Sequence, residues 1–160
     1  MDRLLIIGIV LMVFSACNMK KEDKQKESLA NTQIDSVQTF IEKAWEQHVL
    51  DDIADDAIAA ASVFDDEATY IAYGTPALVG RIAIDSGEVN NLKQIKVLEL
   101  AHTIEGLTVH GVIAYQLGLV KGKFQIKGDS SEVDISARYM ASWKKQTDGS
   151  WRVHYFVYYP

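Results

Sequence analysis

Thiol chemistry is almost absent from this chain: Cys17 is its only cysteine. One thiol cannot close an internal disulfide or build a thiolate metal cage, so the fold must rest on its apolar core. Proline is scarce too, with two residues, and no Pro-, Gly- or Ser-rich stretch marks a linker between folded parts. Positive charge is in the minority, 16 Lys and Arg against 22 Asp and Glu for a net charge of −6. An acidic domain without a basic cluster excludes the electrostatic footprint of a nucleic-acid binder. No apolar run reaches the roughly twenty residues that cross a bilayer. There is no Gly-rich phosphate loop and no Gly-x-Ser-x-Gly motif, and His48, His102 and His110 lack metal-ligating spacing. No metal and no cofactor is expected.

What is present begins at the N-terminus. Arg3 precedes an eleven-residue apolar run, Leu4 to Phe14, and the small residues Ser15 and Ala16 lead into Cys17. A basic start, a short apolar core and a small-residue exit have the form of a secretory signal peptide at 1–16. Phe14-Ser15-Ala16-Cys17 resembles the bacterial lipobox, which implies acylation of Cys17 and attachment to a membrane through the lipid. The next residues, to 33, are polar and of mixed charge. They are too poor in apolar surface to order themselves, and are expected to form a flexible tether reaching roughly 50 Å. The expected location is the bacterial cell envelope, on the periplasmic face or the cell surface.

Residues 34–160 suit one domain. Ile34, Val37, Phe40, Ile41, Ala44, Trp45 and Val49 recur at helical spacing, and Asp51-Asp52 are expected to end that helix. A second helix is expected over 55–63 and a strand over 68–73. A short helix over 81–90, weakened by Gly87, follows. Long strands come next: 96–104, a nearly all-apolar 112–120 expected to be central or buried on both faces, then 133–145 and 151–159. Asp148-Gly149 signals the last hairpin. Helices followed by long strands predict an α+β domain, with helices on one face of a curved antiparallel sheet.

Several of these pieces occur in a familiar order. Asp55-Asp56 is followed by Phe64-Asp-Asp-Glu-Ala-Thr-Tyr70, then Gly74-Thr-Pro76 and Val79-Gly-Arg81. Gly111, Ala114, Tyr115 and Gly118 come later, with Arg138-Tyr-Met-Ala-Ser-Trp-Lys-Lys145, Asp148-Gly149 and Trp151-Arg-Val153. This pattern resembles the nuclear-transport-factor-2-like superfamily, in its SnoaL-like branch. The resemblance implies a cone, a bent sheet wrapped over the N-terminal helices with a pocket at one end. It also implies frequent homodimerisation through the sheet. Members include isomerases, cyclases, dehydratases and non-catalytic binding domains, so fold alone does not give function. Phe156 stands where related domains often carry aspartate, and Tyr155 and Val157 stand where others carry histidine. No catalytic residue carries over at these positions.

The candidate ligand-binding residues are Trp45, Tyr70, Arg138, His154 and Tyr158. The resemblance places Trp45 and Tyr70 at the cone mouth. Strand alternation puts His154 on one face with Phe156 and Tyr158. Arg138 on the preceding strand is expected to approach it, and arginine's planar fork suits a small carboxylate. His154 is also the candidate general base. The same alternation equally allows both to face solvent. Asp51, Asp52, Asp55, Asp56, Asp65, Asp66 and Glu67 read as helix-end and loop charges. Glu99 and Asp134 are the carboxylates on strands. The expected function is a pocket domain binding a small, partly apolar ligand or a partner without catalysis. An isomerase, cyclase or dehydratase is the first alternative and a dimeric assembly domain the second.

Overall fold

The computed structural model describes residues 32–129 and 131–159. The expected signal peptide, Cys17 and nearly all of the tether lie outside the described residues. Val37–Pro160 forms one unit, and the packing below is internal to it.

Helix α1 covers residues 32–53. It does not stop at Asp51-Asp52, contrary to expectation. The Gln47 side chain donates to Asp51 Oδ1 at 2.7 Å one turn on, and Asp52 stays on the buried stripe of Val37, Ile41 and Trp45. Asp55, at φ 62, then turns the chain through a left-handed conformation that aspartate tolerates. Asp56 caps helix α2 (Ala57–Ala61) by accepting from the Ala59 amide at 3.0 Å. The turn at Asp55 is why α2 is shorter than predicted. Strand β1 (Phe64–Ala72), strand β2 (Leu78–Val79) and helix α3 (Arg81–Gln94) follow. Four long strands complete the chain: β3 (Ile95–His110), β4 (Ile113–Ile126), β5 (Glu132–Lys145) and β6 (Trp151–Tyr159).

The strands form one six-stranded sheet in the order β2-β1-β6-β5-β4-β3. The four long strands pair antiparallel, as expected, and β1 joins the sheet by running parallel to β6. The chain crosses from β1 and β2 at one edge to β3 at the other through α3, so β6 reaches β1 last and in the same direction. The architecture is an α+β cone built on a curved, unclosed mixed sheet.

Register assigns the two faces. One row runs Gln116, Ala141, Phe156 and Tyr70 across β4, β5, β6 and β1, and it faces the helices. The next row outward in register is Leu117, Met140, Val157 and Ile71, all exposed. The nearly all-apolar start of β4 is therefore not buried on both faces; Tyr115 and Leu117 lie exposed on a convex surface that no described residue covers.

The core is tied together by one polar side chain. Gln116 is 1 % exposed. Its Oε1 accepts from Trp45 Nε1 at 3.1 Å and from Trp143 Nε1 at 2.7 Å, and its Nε2 donates to the Tyr139 hydroxyl at 2.8 Å. Gly118 lies beside this network, and a Cβ there would overlap the Tyr139 ring. Gln116→Leu keeps the volume but strands both indole N–H groups in the core. The unfolding free energy should fall by about 3 kcal/mol, read from urea denaturation; a loss below about 1 kcal/mol would mean that the indoles find other partners.

Candidate active site

Three elements enclose a cavity of about 330 Å³. Helix α1 contributes Trp45, His48 and Asp52, and α3 contributes Glu88 and Asn91. The concave sheet face contributes Tyr70, Leu100, His102, Val120, Ile135, Phe156 and Tyr158. A second hollow of about 400 Å³ abuts it at Tyr70, Glu88 and Asn91, with Thr75, Pro76 and Leu78 on its wall. Thr75 and Pro76 are exposed, so this side faces solvent. A larger groove of about 680 Å³ lies between α1 and β3 and meets the cavity at Trp45, Leu100 and His102. Its acids Glu42 and Glu46 are exposed, so its charges stay hydrated. The smaller cavity holds the buried chemistry.

That chemistry is a carboxyl pair beside an imidazole. The Asp52 and Glu88 carboxyls lie beside each other on the wall, close enough to influence each other's proton affinity, with Asn91 next to Glu88. His48 Nδ1 lies 2.9 Å from the Ala60 carbonyl oxygen. A carbonyl can only accept, so Nδ1 carries the ring proton and Nε2 turns its lone pair toward Asp52 Oδ2, 3.5 Å away. Among the described residues Asp52 Oδ1 has no donor. His102 stacks on the Trp45 indole with ring centroids 4.2 Å apart and planes 5° from parallel.

Burial sets the protonation states. It pushes the Asp52 carboxyl up to about 7. It also raises Glu88 to about 6, with Asp52's negative charge adding to the shift. It lowers His48 and takes His102 down to about 3. Burial likewise raises the Tyr70 and Tyr158 phenols. The cavity therefore holds neutral imidazoles, neutral phenols and a carboxyl pair that shares a proton between about pH 6 and 7. Two largely desolvated carboxyls side by side with raised affinity for protons are an arrangement suited to acid–base catalysis.

The sequence-predicted residues divide. Trp45, Tyr70 and Tyr158 line the cavity. Arg138 does not: it lies between the inward-facing Ala137 and Tyr139 and points to the convex face. There its Nε and Nη2 donate to Glu105 at 2.9 and 3.3 Å. His154 does not either. The β5–β6 register slips between the pairs Ser142–Tyr155 and Trp143–Val153, so His154 is the extra residue of a bulge and loses the parity of Phe156. Its Nδ1 lies 2.9 Å from Oδ2 of Asp65, which is itself buried. Arg138 and His154 do not meet; Arg138 sits opposite Tyr159. Glu99 and Asp134 are exposed.

The cavity residues missed in the sequence are His48, Asp52, Glu88 and His102. A signal existed for each. Ile41, Trp45, His48 and Asp52 continue one helical face at steps of four, three and four. Ile84, Glu88 and Leu92 do the same on α3, and His102 lies between Leu100 and Ile104 on an alternating strand. Among the described residues no group of three or more His, Asp or Glu side chains is placed to hold a metal.

No protein-family model matches the chain, and no curated protein matches it in sequence. Solved structures do match in fold. A ketosteroid isomerase-like protein from Erwinia carotovora atroseptica superposes with a TM-score of 0.67 at 16% identity, over 76% of this chain and 93% of its own. A nuclear transport factor 2-like superfamily protein from Salmonella enterica gives 0.65 at 12% identity, over 78% and 90%. A nuclear transport factor 2-like protein with a cystatin-like fold, from Novosphingobium aromaticivorans, gives 0.61 at 14% identity, over 84% and 88%. The chain has the nuclear-transport-factor-2-like fold.

The raised Asp52 carboxyl has a stability consequence. Asp52 has a reference pKa of 3.8 and a folded value near 7. Between these values the folded state holds the extra proton, so this contribution is present at low pH and lost as pH rises toward 7. Asp52→Asn removes it. Relative to wild type, the variant should gain up to about 2 kcal/mol of stability between pH 5 and pH 8, measured by urea unfolding at both values. A difference that does not change with pH would mean that the carboxyl is solvated.

Proposed function

We propose that the cavity is the active site of a proton-transfer enzyme acting on a small carbonyl compound, of the isomerase, dehydratase or cyclase kind. The observation that carries this reading is the Asp52–Glu88 carboxyl pair inside an aromatic cavity. It outweighs the non-catalytic reading, which rested on the lack of a recognisable acid–base pair. Within the pair, the ionised member takes a proton from the carbon beside the substrate carbonyl, and the protonated member donates a hydrogen bond to the carbonyl oxygen as charge builds there. The proton then returns from the first carboxyl to carbon, or, in a dehydration, a hydroxyl on the β-carbon takes a proton from the protonated carboxyl and leaves as water while the carbonyl is restored. Neutral His48, anchored on Ala60, orients Asp52 through Nε2. Tyr70 and Phe156, stacked at 5.4 Å, form part of the apolar wall. The ketosteroid isomerase-like protein shares the fold with this chain and lends support at that level only.

The test is solvent deuterium exchange at the α-carbon of small cyclic ketones such as 1-indanone and 2-tetralone, followed by NMR. The wild-type chain should exceed buffer catalysis, and Asp52→Asn or Glu88→Gln should each lower the enzymatic rate by about 100-fold or more. Exchange no faster than buffer across the panel would sink the catalytic reading and return the cavity to ligand binding.

A second observation supports self-association. The exposed row Leu117, Met140, Val157 and Ile71, flanked by Tyr115 and Tyr155, is a continuous apolar surface on the convex sheet face. Exposed apolar patches of this kind mark interfaces, and we read this one as the face of a homodimer burying at least about 1,000 Å². Light scattering should give a dimer at micromolar concentration and a folded monomer for Leu117→Lys. A wild-type monomer would end this reading.

A further inference from the structure

The hollow beside the cavity is a space that the proton-transfer reading leaves without a task. It measures about 400 Å³ and lies between α3 and the β1–β2 arm. Tyr70, Glu88 and Asn91 line both spaces, so the two share three walls. The carboxyl pair divides between them: Glu88 lines both, and Asp52 only the inner one. Asp52 is buried, with its Oδ1 sealed from water, whereas Glu88 is half-buried. A ligand therefore meets the pair at Glu88, where cavity and hollow join.

The sequence builds the hollow from short and apolar side chains. Ala72 follows Tyr70 on the inward row of β1, and Leu78 sits opposite Tyr70 on β2. Ile84 and Gly87 come from one face of α3, three residues apart. Glycine weakens a helix interior, and packing explains it here: a Cβ on Gly87 would overlap the Leu78 side chain. The missing methyl lets the β1–β2 arm approach α3. On the solvent side the Thr75 hydroxyl is turned back on the Ala72 carbonyl, to which it donates at 3.1 Å. Among the described residues no Lys or Arg side chain lines the hollow, so its walls suit an apolar body. The groove between α1 and β3 is the other space that meets the cavity. Neither carboxyl of the pair lines it. Its shared wall includes the Trp45–His102 stack, with rings 4.2 Å apart and Trp45 pinned by Gln116. The hollow is the space continuous with the reacting groups.

We infer that the hollow is a second subsite of the same site and that the substrate is elongated: a carbonyl end held at Glu88 and Asn91, and an apolar extension of several carbons lying against Ala72, Leu78 and Ile84. This rests on the proton-transfer reading only in taking the cavity as the place of the carbonyl end; it names the shape of the substrate and the residues that select it. Volume favours the same conclusion. The cavity alone, at about 330 Å³, is at the lower end of ligand pockets, which run from about 300 to 1,000 Å³. The hollow extends it toward solvent at Thr75 and Pro76, both exposed. Ala72 is the specificity-determining position: it lines the hollow and not the cavity, so a larger side chain there shortens the site without touching the reacting groups.

The experiment measures binding, not turnover, with linear methyl ketones of increasing length: 2-hexanone, 2-octanone and 2-decanone. Calorimetry with the purified full chain should show affinity rising about threefold for each added methylene, and so roughly 80-fold across the series. Ala72→Leu fills the hollow. It should leave 2-hexanone within about threefold of wild type and weaken 2-decanone by about tenfold or more. If that variant does not fold, carbon-13 methyl NMR of the wild-type chain decides. The Ala72 and Leu78 methyl resonances should move on adding 2-decanone and stay in place with 2-hexanone. A rise of less than about tenfold across the series, a rise that Ala72→Leu leaves intact, unmoved methyl resonances with 2-decanone, or no binding of any ketone would overturn the subsite. A length gain that Ala72→Leu abolishes, without α-proton exchange in any ketone, would leave this inference standing and remove the catalytic one. Exchange with affinity independent of chain length would do the reverse.

Discussion

The Gln116 carboxamide is the constraint on which the rest of the molecule depends. One oxygen accepts two indole N–H groups and one nitrogen donates to a tyrosine, so a single side chain on β4 binds α1, β5 and its own strand together. Hydrophobic packing alone would leave a helix free to slide or turn over a curved sheet, since burial is non-directional. A hydrogen bond to Trp45 is directional. It sets the rotation of α1, and that rotation carries His48 and Asp52, at the next steps of the same stripe, to the cavity wall. The Trp45 indole in turn is the platform on which His102 lies flat. Buried polar networks of this kind specify one arrangement among many of similar apolar area.

The same interior holds its titratable groups against their solution preferences. Two carboxyls are raised and two imidazoles lowered, with burial the largest cause in all four cases. Each shift is stability given up at some pH. A domain stabilised only by its core has little reason to bury four such groups. A solvated helix end, as first expected for Asp52, would have cost nothing. Structural ion-pair networks also perturb pKa values, but they do so by pairing opposite charges. Here the groups stand mainly neutral around a cavity, which favours chemistry over support.

Much of the architecture was legible in the sequence. The periodicity of α1, the Asp148-Gly149 hairpin and the long strands at the C-terminal half all translated into elements. Trp45, Tyr70 and Tyr158 were named as pocket residues and line the cavity. What was not legible was polar residues on apolar faces. Asp52 was read as a helix stop and a helix-end charge, yet the helix runs through it and it stays buried beside His48 and Glu88. Glu88 drew no notice because a carboxylate on an exposed-looking helix reads as surface charge. The parallel β1–β6 pairing was invisible because it depends on a crossover, not on any local pattern.

Bulges account for the remaining misplacements, and they do so by one rule: each extra residue exchanges the two faces of everything beyond it. On β3 the register slips between Val97 and Glu99, and again between Ile104 and Gly106. Val97 is buried, and with strict alternation Glu99, Ala101, Thr103 and Glu105 would follow it inward. The first slip instead turns Leu100, His102 and Ile104 toward the core, and the second restores the original parity so that Leu107 and Val109 pack inside. His102 faces the cavity only because it lies between the two. Glu105 is the residue extruded at the second slip, and the bidentate contact from Arg138 holds it on the outer face. Arg138 was first placed in the pocket as a ligand-binding group. Its position instead supports the strand irregularity that delivers a neutral imidazole there, so a residue on the convex face contributes to the concave one through register alone.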